Sequence, residues 1–303
     1  MGLFSRLKRS NTLYFPGCIA YYKEKENFLL WGEIFSRLGI DFKLVDKKVC
    51  CGLPALEAGY SSEARKLARR NFEIFKEEKI DKIITPCPVC YKMFKEDYPV
   101  FLPDWNIEVI NIWELILNKL EEKPGLIKNK DNNANSLSSD NEGKAGSNSK
   151  EFEGQEIGFQ DSCYLGRYCK VYEEPRKILS LIGYRIKEMK DNRENALCSG
   201  SCGGLPRVNP TLADKTAKER LLQAKRTGIK KLIVCSLEEY SLLKKNSSEV
   251  GIEVLEFSEV LANGLGIKKN GENTSSLSKD NESQAISDPT KFEDSKIQGG
   301  DVE

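Results

Sequence analysis

The chain has 303 residues, with 47 Lys and Arg against 46 Asp and Glu, ten cysteines and no histidine. A net charge of +1 offers no basic field for nucleic acid or an anionic membrane. Without an imidazole there is no Ser-His or Cys-His couple and no Cys₂His₂ finger, so chemistry is sought at cysteine.

Elements follow in chain order. Residues 1–15 are basic but lack the apolar run of a signal peptide, and Arg6 stands where a myristoylation site wants Ser or Thr. Hydrophobic patterning predicts a strand over Thr12–Pro16, a helix over Lys25–Leu38 and a strand over Phe42–Val45. A helix over Ser61–Glu78 follows, with Ser61 and Ser62 as cap candidates and Leu67, Phe72 and Phe75 in its apolar stripe. Strands are expected at Lys82–Thr85 and Ile107–Ile110, then a helix to Leu120. The pattern repeats: strand Glu156–Gln160, helix Pro175–Ile182, strand Tyr184–Lys187, helix Leu212–Arg226 and strand Lys231–Val234. A helix after Ser236, a strand over Ile252–Leu255 and a helix to Asn263 complete it. No stretch of about 18 apolar residues occurs, so no membrane span is expected.

Two segments rich in Asn, Ser, Lys, Asp and Glu cannot offset their ordering entropy. They resemble each other: Ser136-Leu137-Ser138 recurs as Ser276-Leu277-Ser278, and Phe152-Glu153 as Phe292-Glu293. The expected organisation is an internal duplication. It has a first domain over 1–122, a disordered linker over 123–154, a second domain over 155–267 and a disordered tail over 268–303. The fold class is α/β, with two tandem Rossmann-like domains built on mostly parallel sheets.

The cysteines fall just past strand ends. Cys18 follows the first strand, Cys50 and Cys51 the second, and Cys87 and Cys90 the third. In an open parallel sheet those ends converge where ligands bind. Soft thiolates suit iron–sulfur, Zn²⁺ or Cu(I), and five exceed what a cubane or a zinc ion needs. A disulfide-exchange CxxC would use Cys87 and Cys90 but leave Cys18, Cys50 and Cys51 unexplained. In the second half Cys163 corresponds to Cys18, and one displacement takes Cys50 to Cys198 and Cys87 to Cys235. That displacement puts Ser199 in the place of Cys51 and Glu238 in the place of Cys90. Cys202 is new, in a glycine-rich turn, so Cys163, Cys198, Cys202 and Cys235 are a candidate four-thiolate site for a [4Fe–4S] cubane or zinc. Cys169 is read as passive. With no signal peptide and no membrane span the expected location is the cytoplasm, a reducing compartment in which clustered cysteines serve as metal ligands or redox centres rather than structural disulfides.

These residues resemble a known family. Tyr14-Phe15-Pro16-Gly17-Cys18, Cys50-Cys51-Gly52-Leu53-Pro54 and Thr85-Pro86-Cys87-Pro88-Val89-Cys90 are similar to the cysteine-rich CCG-domain family. So are Asp161-Ser162-Cys163-Tyr164-Leu165-Gly166-Arg167 and Gly203-Gly204-Leu205-Pro206-Arg207. The family includes the catalytic subunits of heterodisulfide reductase and the iron–sulfur proteins of glycerol-3-phosphate and lactate oxidation. The resemblance implies a noncubane [4Fe–4S] cluster at Cys18, Cys50, Cys51, Cys87 and Cys90. It implies an oxidoreductase subunit that reduces or forms a small thiol or disulfide substrate. The alternative is a non-catalytic electron-transfer subunit. No ferredoxin-like module is seen, so electrons are expected from a partner carrying ferredoxin-type clusters or flavin. Arg167, Lys170, Arg207, Lys47 and Lys48 lie near the sites in sequence and are read as ordinary surface charge.

Overall fold

A computed structural model of the chain describes residues 11–45, 50–128 and 154–267. Lys47, Lys48, most of the expected linker and the whole expected tail lie outside them. The first half runs β1 (Thr12–Tyr14), α1 (Cys18–Tyr22), α2 (Lys25–Arg37), α3 (Leu53–Glu57), α4 (Ser61–Glu77), β2 (Lys82–Ile84), α5 (Pro88–Lys92), α6 (Tyr98–Phe101), β3 (Glu108–Ile110) and α7 (Ile112–Glu122). A π turn over Met93–Asp97 joins α5 to α6. The second half runs β4 (Glu156–Phe159), α8 (Glu173–Leu181), β5 (Arg185–Ile186), α9 (Leu205–Val208), α10 (Pro210–Arg226), β6 (Lys231–Val234), α11 (Leu237–Val250), β7 (Glu253–Glu256) and α12 (Phe257–Gly264).

Both sheets are parallel, in the orders β1-β2-β3 and β5-β4-β6-β7. The α/β expectation holds. Buried strands of this kind read as apolar runs, and Ile83, Ile84, Leu232, Ile233 and Val234 are fully enclosed. The strand expected at Phe42–Val45 is reduced to one parallel bridge, Leu13 to Lys43. Lys43 alone bonds β1, donating its N–H to Thr12 O at 2.8 Å and accepting from Tyr14 N at 3.0 Å. The cap expected from Ser61 and Ser62 is also absent: Tyr60 is the N-cap of α4 and makes no side-chain cap bond.

The two halves share a core. Trp113 of α7 meets Phe257 of α12 edge-on with ring centroids 4.8 Å apart, and Trp31 of α2 stacks edge-on against Trp113 at 5.8 Å. Asn27 of α2 donates to Glu256 Oε2 and to Ser258 Oγ, both at 2.9 Å. The first half stays ordered past residue 122. Pro124–Leu126 make a 3₁₀ turn, Ile127 is buried, and Lys128 N–H reaches Gly264 O at 3.0 Å. That shared face turns the loops beyond β1, β2, β4 and β6 toward one seam.

Candidate metal centres

The first site is built at the ends of β1 and β2. Gly17 leaves β1 with φ +82° and ψ 156°, a glycine-only region, and places Cys18 at the start of α1. A Cβ at Gly17 would lie 3.0 Å from Cys87 Cβ and 3.2 Å from Cys87 Sγ. Gly52, at φ +99°, turns the chain from the Cys50–Cys51 doublet into α3. Past β2, Cys87 caps α5, Pro88 opens the helix, and Cys90 lies one turn on. Thr85 Oγ1 accepts from Cys87 N–H at 3.2 Å and steadies this loop.

Cys50, Cys51, Cys87 and Cys90 pack into one cluster, a Cβ at Gly17 beside Cys18 would lie 3.6 Å from Cys90 Sγ, and each thiol perturbs its neighbour: Cys18 and Cys50, Cys50 and Cys51, Cys51 and Cys90, Cys90 and Cys87. The structure therefore brings together all five residues singled out from sequence. Cys51 and Cys90 are buried, and Cys18, Cys50 and Cys87 are half-buried. The hydrogen bonds from Cys18 and Cys51, with Gly52 N–H, draw Cys50 down to about 3. Arg207, reaching over from the second half, adds to that. The same contacts push Cys18, Cys51 and Cys90 up, joined by burial.

Sequence reasoning missed the braces of this site. Asn71, fully buried on α4, donates to Cys50 O at 3.0 Å and to Tyr98 Oη at 2.9 Å. Tyr98 in turn donates to Cys51 O at 3.2 Å. The signal was an asparagine inside the apolar stripe of α4. Five neighbouring soft donors, none in a disulfide, against a wall that a Cβ at residue 17 would crowd, fit an iron–sulfur group.

The second site differs in shape. Cys163, Cys198 and Cys202 have their sulfurs within 4.8 Å of one another. Their mutual interaction draws Cys198 down to about 2 and raises Cys163 to about 11. Gly200 N–H points at Cys198 Sγ at 3.3 Å, as Gly52 N–H points at Cys50 Sγ at 3.5 Å. Cys235 stands outside this group. It is buried at the end of β6 and shares a cavity of about 20 Å³ with Cys87, Pro16 and Glu256. Burial raises its thiol, followed by the charges of Glu256 and Glu239. Cys169 joins neither group, and burial pushes it up to about 12.

Substituted positions kept polar roles. Ser199, fully buried, donates to Glu239 Oε1 at 3.3 Å. Glu238 accepts from Ser236 Oγ at 2.8 Å and is raised by burial and then by Glu57 and Cys50 of the first half. Tyr164 donates to Glu57, so the two sites look at each other across the seam. Of the nearby cations, Arg167 donates to Cys163 Sγ at 2.8 Å and so is more than plain surface charge, whereas Arg207 is exposed. Lys170 is exposed.

The model of the CCG cysteine-rich domain matches residues 12–95 and 157–237, which takes in both thiol groups. One component of the dihydromethanophenazine:CoB–CoM heterodisulfide reductase of Methanosarcina acetivorans is 28% identical over 267 residues, 86% of this chain and 60% of its own length. A probable iron–sulfur-binding oxidoreductase of Bacillus subtilis is 29% identical over 202 residues, 65% of this chain and 25% of its own length. An EtfAB:quinone oxidoreductase of Syntrophomonas wolfei is 28% identical over the same shares. The chain thus spans at most about 60% of these curated relatives. Among the described residues, no helix is long and apolar enough to cross a membrane.

Proposed function

The chain belongs to the cysteine-rich CCG-domain family, and we propose that it is an iron–sulfur oxidoreductase subunit. In this reading Cys18, Cys50, Cys51, Cys87 and Cys90 hold a [4Fe–4S] cluster of the noncubane kind, at which a small disulfide is reduced or formed. The observation that carries it is the gathering of five neighbouring thiols at the sheet's carboxyl edge. Five donors are more than a single tetrahedral centre requires.

Reducing a disulfide consumes two electrons and two protons, breaks one S–S bond and leaves two thiols. When bound, the cluster supplies one-electron chemistry that no side chain of this protein offers. The protein's own part is positional and electrostatic. Asn71 and Tyr98 fix the carbonyls of the doublet, and burial of Cys51 and Cys90 keeps water from that wall. Arg207 and Gly52 N–H favour negative charge at Cys50. Electrons come from a partner with ferredoxin-type clusters or flavin, in the cytoplasm, where free thiols persist. A second reading, a non-catalytic electron-transfer subunit, is favoured by the likeness to the Syntrophomonas quinone oxidoreductase.

Anaerobic purification with iron and sulfide analysis tests the cluster, and electron paramagnetic resonance during thiol and disulfide additions tests the substrate. Cys51→Ser is expected to lose iron and change the spectrum, and Cys169→Ser to leave both unchanged. Protein without iron, or equal effects of the two variants, overturns the assignment. A cluster signal indifferent to disulfides moves the conclusion to electron transfer.

A further inference from the structure

Away from the sulfurs, one buried cation lacks a counter-charge. Arg220 is among the buried residues of α10 and is 1% exposed. Its Nε donates to Gln160 Oε1 at 2.6 Å, and its Nη1 to Asp191 O at 3.0 Å and Gln223 Oε1 at 2.8 Å. All three acceptors are neutral, and Nη2 has no partner. A guanidinium is rarely enclosed without an ion pair, because its lost hydration is offset only by a close opposite charge. The carboxyl groups whose charge reaches Arg220 are those of Asp161, Glu239 and Asp191. Asp161 is held by Arg176 at 2.7 and 2.8 Å, and Asp191 offers its carbonyl. Glu239 accepts from Ser199 at 3.3 Å with one oxygen and keeps the other unpartnered, so it has not paired with Arg220 either.

Arg220 also lines a groove of about 290 Å³, together with Leu197, Cys198, Lys215, Thr216 and Glu219. That volume suits a small molecule rather than a single water, whose share of liquid volume is about 30 Å³. Glu219 is exposed and tied to Arg226 at 3.0 Å. Lys215 is exposed and, among the described residues, has no ion-pair partner. Leu197, 46% exposed, gives one wall an apolar face. The turn at Gly200 packs so closely on α10 that a Cβ there would lie 2.7 Å from Ala213 O and 3.2 Å from Thr216 Cβ, which fixes the groove's width.

We propose that this groove binds a small organic carboxylate, whose head group takes the unused Nη2 of Arg220 together with Lys215 and whose carbon chain lies on Leu197. Guanidinium and carboxylate match in plane and donor geometry, and charge-assisted bonds of this kind are the strong ones. Nη2 is closed off from water in the unliganded chain, so the head group reaches it by a side-chain shift in the groove wall, of the kind common on binding. None of these contacts uses a sulfur, so the site does not depend on what either thiol group holds.

The test is titration calorimetry of the full chain, purified anaerobically, with butyrate as the probe. One site per chain is expected, and butyramide, the neutral counterpart, should bind at least about tenfold more weakly. Arg220→Met should weaken butyrate binding by at least about tenfold, the loss of a charge-assisted bond. Arg220→Met also breaks a buried network, so Lys215→Met, at an exposed position, is the companion variant. It should weaken binding about threefold and leave urea unfolding unchanged. 4,4′-Thiodibutyrate carries the same head group on a longer body. Affinity no greater than that of butyrate makes the ligand a free short acid, and tighter binding makes the groove the seat of one end of a larger molecule. No butyrate binding, equal binding of butyramide, inorganic phosphate bound as tightly as butyrate, or an affinity that either folded variant leaves unchanged would each overturn the proposal.

Discussion

Gly17 offers the sharpest separation of backbone strain from crowding at the first site. Its φ of +82° with ψ of 156° lies in a region that residues with a Cβ enter at a cost of about 1–3 kcal/mol. An added methyl would also press on Cys87 Cβ at 3.0 Å and Cys87 Sγ at 3.2 Å. Those atoms sit on a loop stiffened by Pro88 and by the bond from Cys87 N–H to Thr85, and overpacking of this kind costs roughly 1–3 kcal/mol. Gly17→Ala is therefore expected to destabilise by about 2–6 kcal/mol, the two effects together. Gly39→Ala is the control. Gly39 also has positive φ, +71°, but nothing lies within 4 Å of its would-be Cβ, so only a backbone cost of about 1–2 kcal/mol applies. Urea unfolding of metal-free protein measures both variants without the stabilisation that bound metal would add. Iron per chain in separately purified protein then reads the site. Gly17→Ala should lose most of its iron and Gly39→Ala none. Equal stabilities, or full iron in Gly17→Ala, would refute the view that residue 17 is part of the wall of the thiol pocket.

Three further outcomes follow from burial and charge. Arg176 pairs with Asp161 through bonds of 2.7 and 2.8 Å and with Glu188 at 2.7 and 3.0 Å, with Asp161 almost fully enclosed. Arg176→Met strands that carboxylate and should cost about 3–5 kcal/mol in urea unfolding. Trp113 is 2% exposed and packs on Trp31 and Phe257 across the two halves, so Trp113→Ala should cost about 3–5 kcal/mol. A cost below about 1 kcal/mol would show that the halves do not depend on that contact. Glu256, buried at the same seam, is raised from 4.5 to about 7 by burial, opposed by its bonds from Ser258 and Asn27. A carboxyl whose folded value is raised keeps its proton in the native state while the unfolded chain has lost it. Stability should therefore fall as pH rises from about 4.5 to 7, by roughly 3 kcal/mol in all. Glu256→Gln should flatten that slope, and an unchanged slope would assign it elsewhere.

The readable parts of the chain were those with a strong period. β6 matches Lys231–Val234 residue for residue, and α4 and α10 begin and end within two residues of expectation, because long apolar stripes and a short apolar run ending in β-branched Ile233 and Val234 each favour one geometry. The strand at Phe42–Val45 had the right composition but only one edge partner, and pairing is not a property of composition. The short helices α1, α3, α5 and α9 were invisible for the opposite reason. Each is four or five residues, too few for a periodic signal, and is started by glycine or proline instead. The shared core was also illegible, since Trp113 and Phe257 are 144 positions apart and nothing local couples them.

The two thiol sites carry the same lesson into chemistry. Duplication preserved one element of both: a cysteine whose sulfur faces the N–H of a glycine two residues on, Cys50 with Gly52 and Cys198 with Gly200. That element places a thiolate, and its cost is met by backbone alone, so it survives changes in its neighbours. What diverged is the surroundings. In the first half the partners are Cys51 and, beyond it, Cys90 and Cys87, which extend the sulfurs into a line. In the second half Ser199 and Glu238 interrupt that line, and Cys202 folds back on Cys198 through a turn of three intervening residues. Aligned by displacement alone, Cys235 inherits the place of Cys87. In space the line that would have led to it is broken at both substituted positions, and it is left facing Cys87 across the seam. The loss of two sulfurs thus changed the shape of the donor set as well as its size, and shape decides whether one metal ion or several can be held.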